Sequence, residues 1–222
     1  VGAQMKLLSV VGARPNFMKI APLANAIRVY NAQQPTSTVK HVLVHSGQHY
    51  DPRLSLRFFE ELEIPSPDYH LGVGSGTHAY QVGTTMIEFE HVLLAEQPDW
   101  VIVVGDVNAT CACALTAKKH LFKVAHIEAG LRSNDWTMPE EINRILTDRI
   151  SNYLFCPTEV AIKNLKAEGF DNFNINIEVI NRSQSNAKLI LVKALQLPLE
   201  TKNSVLKNNE KTSFQFKNVI IG

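Results

Sequence analysis

The 222 residues carry 45% hydrophobic and 19% charged side chains and a formal net charge of +1, the composition of a globular chain able to bury a core without disulfide staples. That near-neutral balance gives no electrostatic footprint for nucleic acid or an anionic membrane, and no apolar run reaches the ~18 residues of a spanning helix. The charge is uneven: residues 172–222 hold seven Lys/Arg against three acids, while residues 1–171 hold 15 against 18. With no secretory pattern at the start and an odd three cysteines, a disulfide framework is not expected and a cytoplasmic location is.

The first aliphatic run, Leu7-Leu8-Ser9-Val10-Val11, ends at Gly12, and Ala13-Arg14-Pro15-Asn16 leads into an apolar-periodic stretch over 17–30. That is strand, tight turn, helix. Residues 39–45 form the next strand, closed by Ser46-Gly47-Gln48-His49. Residues 54–62 suit an amphipathic helix, broken by Ile64-Pro65-Ser66-Pro67. A long helical pattern covers 77–94, with Val82, Met86, Phe89, Val92 and Leu93 on its apolar side.

Trp100-Val101-Ile102-Val103-Val104 is nearly all apolar, as a parallel strand covered on both faces should be, and stops at Gly105-Asp106. Residues 110–120 predict a small-residue helix, 124–127 a strand, 141–153 a helix and 153–156 a further strand. Strands alternating with helices predict an α/β fold with a Rossmann-like, doubly wound parallel sheet.

Ligands of such sheets bind beyond the carboxyl ends of the strands. Here those ends carry Gly12-Ala13-Arg14-Pro15, Gly47-Gln48-His49, Gly105-Asp106 and Glu128-Ala129-Gly130-Leu131-Arg132. Arg14 stands at a helix start, which favours anions. Neither Gly-x-Gly-x-x-Gly nor Gly-x-x-x-x-Gly-Lys-Ser/Thr follows the first strand, which disfavours hydride transfer and a P-loop NTPase. Cys111-Ala112-Cys113 lacks the spacing and second pair of a zinc site and reads as small buried helix residues, so no metal is expected.

Taken in order over residues 5 to 170, the strings Gly12-Ala13-Arg14-Pro15, Lys19 with Ala21-Pro22-Leu23, Ser46-Gly47-Gln48-His49, Gly105-Asp106, His126-Ile127-Glu128-Ala129-Gly130-Leu131-Arg132 and Pro139-Glu140-Glu141-Ile142-Asn143-Arg144 resemble the non-hydrolysing UDP-N-acetylglucosamine 2-epimerases. The resemblance implies a glycosyltransferase-B architecture of two Rossmann-like domains facing a cleft, of which this chain looks like the first. It implies interconversion of UDP-N-acetylglucosamine and UDP-N-acetylmannosamine through elimination of UDP and its re-addition, with turnover by this chain alone expected to be impaired because the second domain would supply the leaving-group side. That route needs carboxylates near both faces of the sugar and cations for the departing diphosphate. By motif match Asp106, Glu128 and Glu140 would be the acid and base groups, and Arg14, Lys19 and Arg144 the cationic complement. Gln48, His49 and Gln81 would contact substrate or a second UDP-N-acetylglucosamine acting as activator. No cofactor is implied, and a homodimer through this domain is.

Each residue has a plainer role beside that one. Asp106 between strand and helix could be an N-cap, Glu128 an ion-pair partner of Arg132, and Glu141 a cap partner at the helix start. Arg14 and Lys19 could be solvated charges, Gln48 and His49 turn formers, and Gln81 an exposed helix residue.

The expected organisation is a domain over 1–171, a linker with a helix over 172–213, and the opening of a second domain over 214–222. The linker lacks the glycine the resemblance leads one to expect near Ile175-Asn176-Ile177. Two other readings stay open: a non-catalytic nucleotide-sugar binding module, and a hydrolysing UDP-N-acetylglucosamine 2-epimerase.

Overall fold

The sheet is built from the runs that the sequence marks as buried. A computed structural model describes residues 4–12, 16–47, 65–170 and 175–177, with backbone only for Phe17 and 175–177. In chain order the elements are β1 Met5–Val11, α1 Asn16–Gln33, β2 Val39–His45, β3 Tyr69–His70, α2 His78–Glu96, β4 Trp100–Val104, α3 Asn108–Lys119, β5 Lys123–Ile127, α4 Pro139–Ile150, β6 Tyr153–Cys156, α5 Glu159–Ala167 and β7 Ile175–Ile177. The helix expected over 54–62 lies outside the described residues, as does most of 172–213 and all of 214–222.

All strand pairs are parallel, in the order β3-β2-β1-β4-β5-β6-β7. The chain winds outward from β1 to one edge, then returns beside β1 and winds to the other. The adjacent carboxyl ends of β1 and β4 are therefore the switch point, where the loops diverge and leave a crevice. β7, inside the stretch 172–213, extends the sheet beside β6.

The period of two along each strand divides the core. Leu7 and Val11 join Ile20, Leu23 and Ile27 of α1 on one face, with Trp100, Ile102, Tyr153 and Phe155. Leu8, Val10, Val101 and Val103 face the other way, onto Phe89 and Leu93 of α2 and Cys113, Ala114 and Ala117 of α3. Side chains such as Phe89, Leu7 and Ile102 are fully buried, each contributing about 1.5–3 kcal/mol relative to exposure. The small residues of α3 let it pack against both α2 and α4. Cys111 and Cys113 belong to this packing, and burial raises both thiol pKa values.

Helix ends follow local chemistry. Thr77 caps α2 by accepting from the Tyr80 N–H, and Thr158 caps α5 by accepting from the Ala161 N–H. α4 starts at Pro139 rather than 141, since proline suits the first helical turn. Among the described residues, no helix is long and apolar enough to cross a membrane.

Candidate active site

Four elements converge on the carboxyl end of β4. Asn16, opening α1, is buried and donates from Nδ2 to the Val104 carbonyl at 3.1 Å, fixing the helix start to the strand end. One turn on, Lys19 forms an ion pair with Glu128, which follows β5. Both side chains are about four-fifths buried, at 22% and 21% exposure, which leaves an edge for a ligand.

Gly105 makes this convergence possible. Its φ of 71° lies where glycine is favoured, and a methyl group there would come within 3.0 Å of Asn16 Oδ1, 3.5 Å of Glu128 Oε2 and 3.6 Å of Lys19 Nζ. Glu128 itself has φ 75°, a conformation that costs a residue with a side chain on the order of 1–3 kcal/mol and recurs at ligand sites. Its backbone N–H and that of Ala129 both donate to the Phe155 carbonyl.

Asp106 points to α4. Arg144 donates to Asp106 Oδ2 from Nε at 2.9 Å and Nη2 at 2.6 Å, and from Nη1 to Glu141 Oε2 at 2.6 Å. The N-cap of α3 is Val107, with no side-chain capping bond, so Asp106 does not serve as that cap. Glu141 is 1% exposed and accepts from the backbone N–H groups of Ser133 and Asn134. Burial alone would raise its pKa, but these N–H groups and Arg144 outweigh it and hold the carboxyl below its usual range. Glu141 is thus an anchor for Arg144 and for the loop before α4. Glu140, its neighbour, is half-buried and has no hydrogen-bond partner among the described residues.

Behind Asp106 runs a carboxamide chain. Asn143 Nδ2 donates to the Asp106 carbonyl at 2.9 Å and lies 3.2 Å from Asn108 Oδ1, while Asn108 Nδ2 donates to Gln81 Oε1 at 2.8 Å. Gln81 is therefore a buried α2 residue in this network, not an exposed one.

The expected pair of Glu128 with Arg132 is replaced by another arrangement. Arg132 donates to Asp148 Oδ2 at 2.8 Å and is bidentate to Glu168 at 2.6 and 2.8 Å, leaving Glu128 to Lys19. Of the predicted site residues, Lys19, Asp106, Glu128 and Arg144 are brought together around Gly105. Glu140 stands on the first turn of α4, and Arg14, Gln48 and His49 lie outside the described residues. Nothing in the sequence pattern marks a role for Asn16, Asn143, His126 or Asp148, beyond a histidine within an otherwise apolar strand, which when buried needs partners. Among the described residues no cluster of His, Cys, Asp and Glu is arranged to hold a metal.

The family model for UDP-N-acetylglucosamine 2-epimerase matches residues 31–195. A UDP-N-acetylglucosamine 2-epimerase homolog of Methanococcus maripaludis is 48% identical over 190 residues, 85% of this chain and 51% of that protein. A UDP-2,3-diacetamido-2,3-dideoxy-D-glucuronate 2-epimerase of Pseudomonas aeruginosa is 46% identical over 195 residues, 88% of this chain and 53% of the relative. Among solved structures, the Methanocaldococcus jannaschii UDP-GlcNAc 2-epimerase in complex with UDP-GlcNAc and UDP aligns with TM-score 0.72 and 47% identity, over 78% of this chain and 46% of that one. The chain spans about half the length of the curated relatives it matches.

Proposed function

The chain belongs to the UDP-N-acetylglucosamine 2-epimerase family, and from that membership we propose that it supplies the first-domain half of a site that inverts C2 of a UDP-2-acetamido sugar. The observation that carries this reading is the grouping of Asp106, Glu128, Lys19 and Arg144 around Gly105 at the switch point of the sheet. Carboxylates and cations at one rim are what C2 inversion through elimination requires.

In the proposed reaction a carboxylate takes the C2 proton while the bond from C1 to the diphosphate oxygen breaks, giving 2-acetamidoglucal and UDP. UDP then adds back at C1 as a proton reaches the opposite face of C2. The sequence is redox-neutral, so it calls for no nicotinamide. Asp106, Glu128 and Glu140 are the proton-transfer groups. Lys19 and Arg144, with Arg14, supply positive charge toward the diphosphate, and Gln48, His49 and Gln81 complete the contacts to substrate or to an activating second UDP-N-acetylglucosamine.

Under this reading residues 1–171 are the first domain, 172–213 a linker with a helix and 214–222 the opening of a second domain. The protein would act in the cytoplasm as a homodimer. The Pseudomonas relative, nearly as similar as the Methanococcus one, makes a UDP-2,3-diacetamido uronate a second substrate to assay.

The test is incubation of the protein carrying both halves of the site with either UDP-sugar in deuterated water. Deuterium at C2 of recovered nucleotide sugar is the expected result. Binding without label would replace the enzyme reading by a binding module, and net release of free N-acetylmannosamine would replace it by hydrolysis.

A further inference from the structure

His126 is fully buried between the two turns that present Asp106 and Glu128. Its Nε2 lies 2.8 Å from the Gly105 carbonyl oxygen and its Nδ1 2.6 Å from Asp148 Oδ1. A carbonyl oxygen only accepts, so Nε2 carries a proton. A bare Nδ1 would then set its lone pair against a carboxyl oxygen at 2.6 Å in the dry interior, so a second proton lies between ring and carboxyl.

The carboxyl decides which group owns that second proton. Asp148 Oδ2 accepts from the Gly130 N–H at 3.0 Å and from the Arg132 guanidinium at 2.8 Å, so two donors converge on this buried carboxyl before the ring is counted. Donors of that kind favour the ionised acid. The proton therefore sits on the ring. The charged groups facing it alternate in sign: Asp148 from α4, Arg132 from the loop after β5, and Glu168, bound to Arg132, at the end of α5.

We propose that His126 and Asp148 form a buried imidazolium–carboxylate clamp that positions Asp106 and Glu128. The ring N–H holds the Gly105 carbonyl, and with it the left-handed turn that aims Asp106 at Arg144. The carboxylate holds the Gly130 N–H, and with it the left-handed turn, φ 79°, two residues beyond Glu128. One side-chain pair thus ties together the loops after β4 and β5. Both are positioning residues, and this role rests on the epimerase reading, whereas the clamp itself does not.

NMR of the full 222-residue chain with nitrogen-labelled histidine reads the ring directly. His126 should show one-bond N–H correlations at both ring nitrogens, each slow to exchange with deuterium, and a bare nitrogen at either position overturns the clamp. This measurement needs no variant to fold. Asp148→Asn keeps the shape of the side chain but removes its charge. It should lower kcat for C2 proton exchange by about 10²-fold, with KM changed less than about threefold, as a small misplacement of reacting groups does. It should also speed amide exchange at Gly130 and at Gly105, whose N–H donates to the Ile127 carbonyl, while β1 and β4 stay as protected as in the wild type. Equal loss of protection across all core amides would mark general destabilisation and overturn the positioning role. Should the wild-type protein carrying both halves of the site exchange no C2 proton, the epimerase reading fails, and the ring protons and local amide pattern still decide the clamp.

Discussion

Lys19 on α1 and Glu128 beyond β5 stand 109 residues apart in the chain and are ion-paired over Gly105. The contact lies at the carboxyl ends of β1 and β4, where the loops after them diverge, and it holds a carboxylate against a cation at a rim that solvent and ligand can still reach. Under the proposed reaction, Glu128 would exchange the C2 proton and Lys19 would offset charge on the departing diphosphate.

Glu128→Gln preserves shape and removes the proton-accepting group, so C2 deuterium incorporation should fall by about 10²–10⁴-fold. Lys19→Met leaves the carboxylate without its partner and should weaken binding of UDP-N-acetylglucosamine. Calorimetry on both single variants and the double should give a coupling of about 0.5–3 kcal/mol. Additive losses would mean that the pair is not a unit in ligand binding.

Gly105 is under two constraints, a left-handed backbone and a crowded approach. Gly105→Ala should destabilise the chain by roughly 1–2 kcal/mol from backbone alone and also displace Asn16, Lys19 or Glu128. Gly72, with φ 67° and nothing within 4 Å of an added methyl, isolates the first effect. Urea unfolding should show both variants weakened, whereas only Gly105→Ala should lose UDP-N-acetylglucosamine binding. Equal binding by the two would remove Gly105 from the site.

The strands were legible because burial on both faces leaves unbroken aliphatic runs, as at Trp100–Val104. Tyr69–His70 was not legible: two residues have no period, and their pairing with β2 is a long-range fact. In the site, position at strand ends and motif order exposed Asp106, Glu128, Lys19 and Arg144. The partner of Arg132 was not exposed. Glu128 is near it in sequence, yet the left-handed backbone at Glu128 delivers that carboxylate to α1, and Arg132 instead reaches Asp148 and Glu168. Nor could adjacency separate Glu140 from Glu141. One residue on a helix is a rotation of about 100°, enough to send Glu141 inward to Ser133, Asn134 and Arg144.

Arg144 bridges Asp106 and the buried Glu141, so its loss strands two carboxylates at once. Arg144→Ala should cost about 3 kcal/mol of stability, the usual penalty for breaking a buried pair from one side. Arg144→Lys keeps the charge but not the fork that serves both partners, so it should recover only part of the loss. The check is chemical denaturation of both variants. A fully stable Arg144→Ala would show that Ser133 and Asn134 suffice for Glu141.

Acid should weaken the fold from about pH 6.5 downward, because two histidines, the buried His45 and the half-buried His41, resist protonation. Burial lowers the pKa of His41 from 6.5 to about 4, against the pull of Asp68, and burial with the nearby His70 lowers that of His45 to about 4 as well. Both values are depressed in the folded state, so between pH 6.5 and about 4 the unfolded chain binds protons that the native chain refuses. The stability these neutral rings contribute is therefore complete above pH 6.5 and lost as pH falls through that window. A later loss belongs to Glu96, whose carboxyl is lowered from 4.5 to about 2 by the Tyr69 hydroxyl and then by Lys6 and Lys40. Glutamine at position 41 can still reach the Ser9 hydroxyl, which the imidazole Nε2 meets at 2.8 Å, but it does not titrate. His41→Gln should flatten stability against pH across the histidine window by up to ~1.4 kcal/mol per pH unit and leave the slope below pH 4 unchanged. Urea unfolding at a series of pH values reads this directly, and an unaltered slope would show that His41 protonates as readily in the folded chain as in the unfolded one.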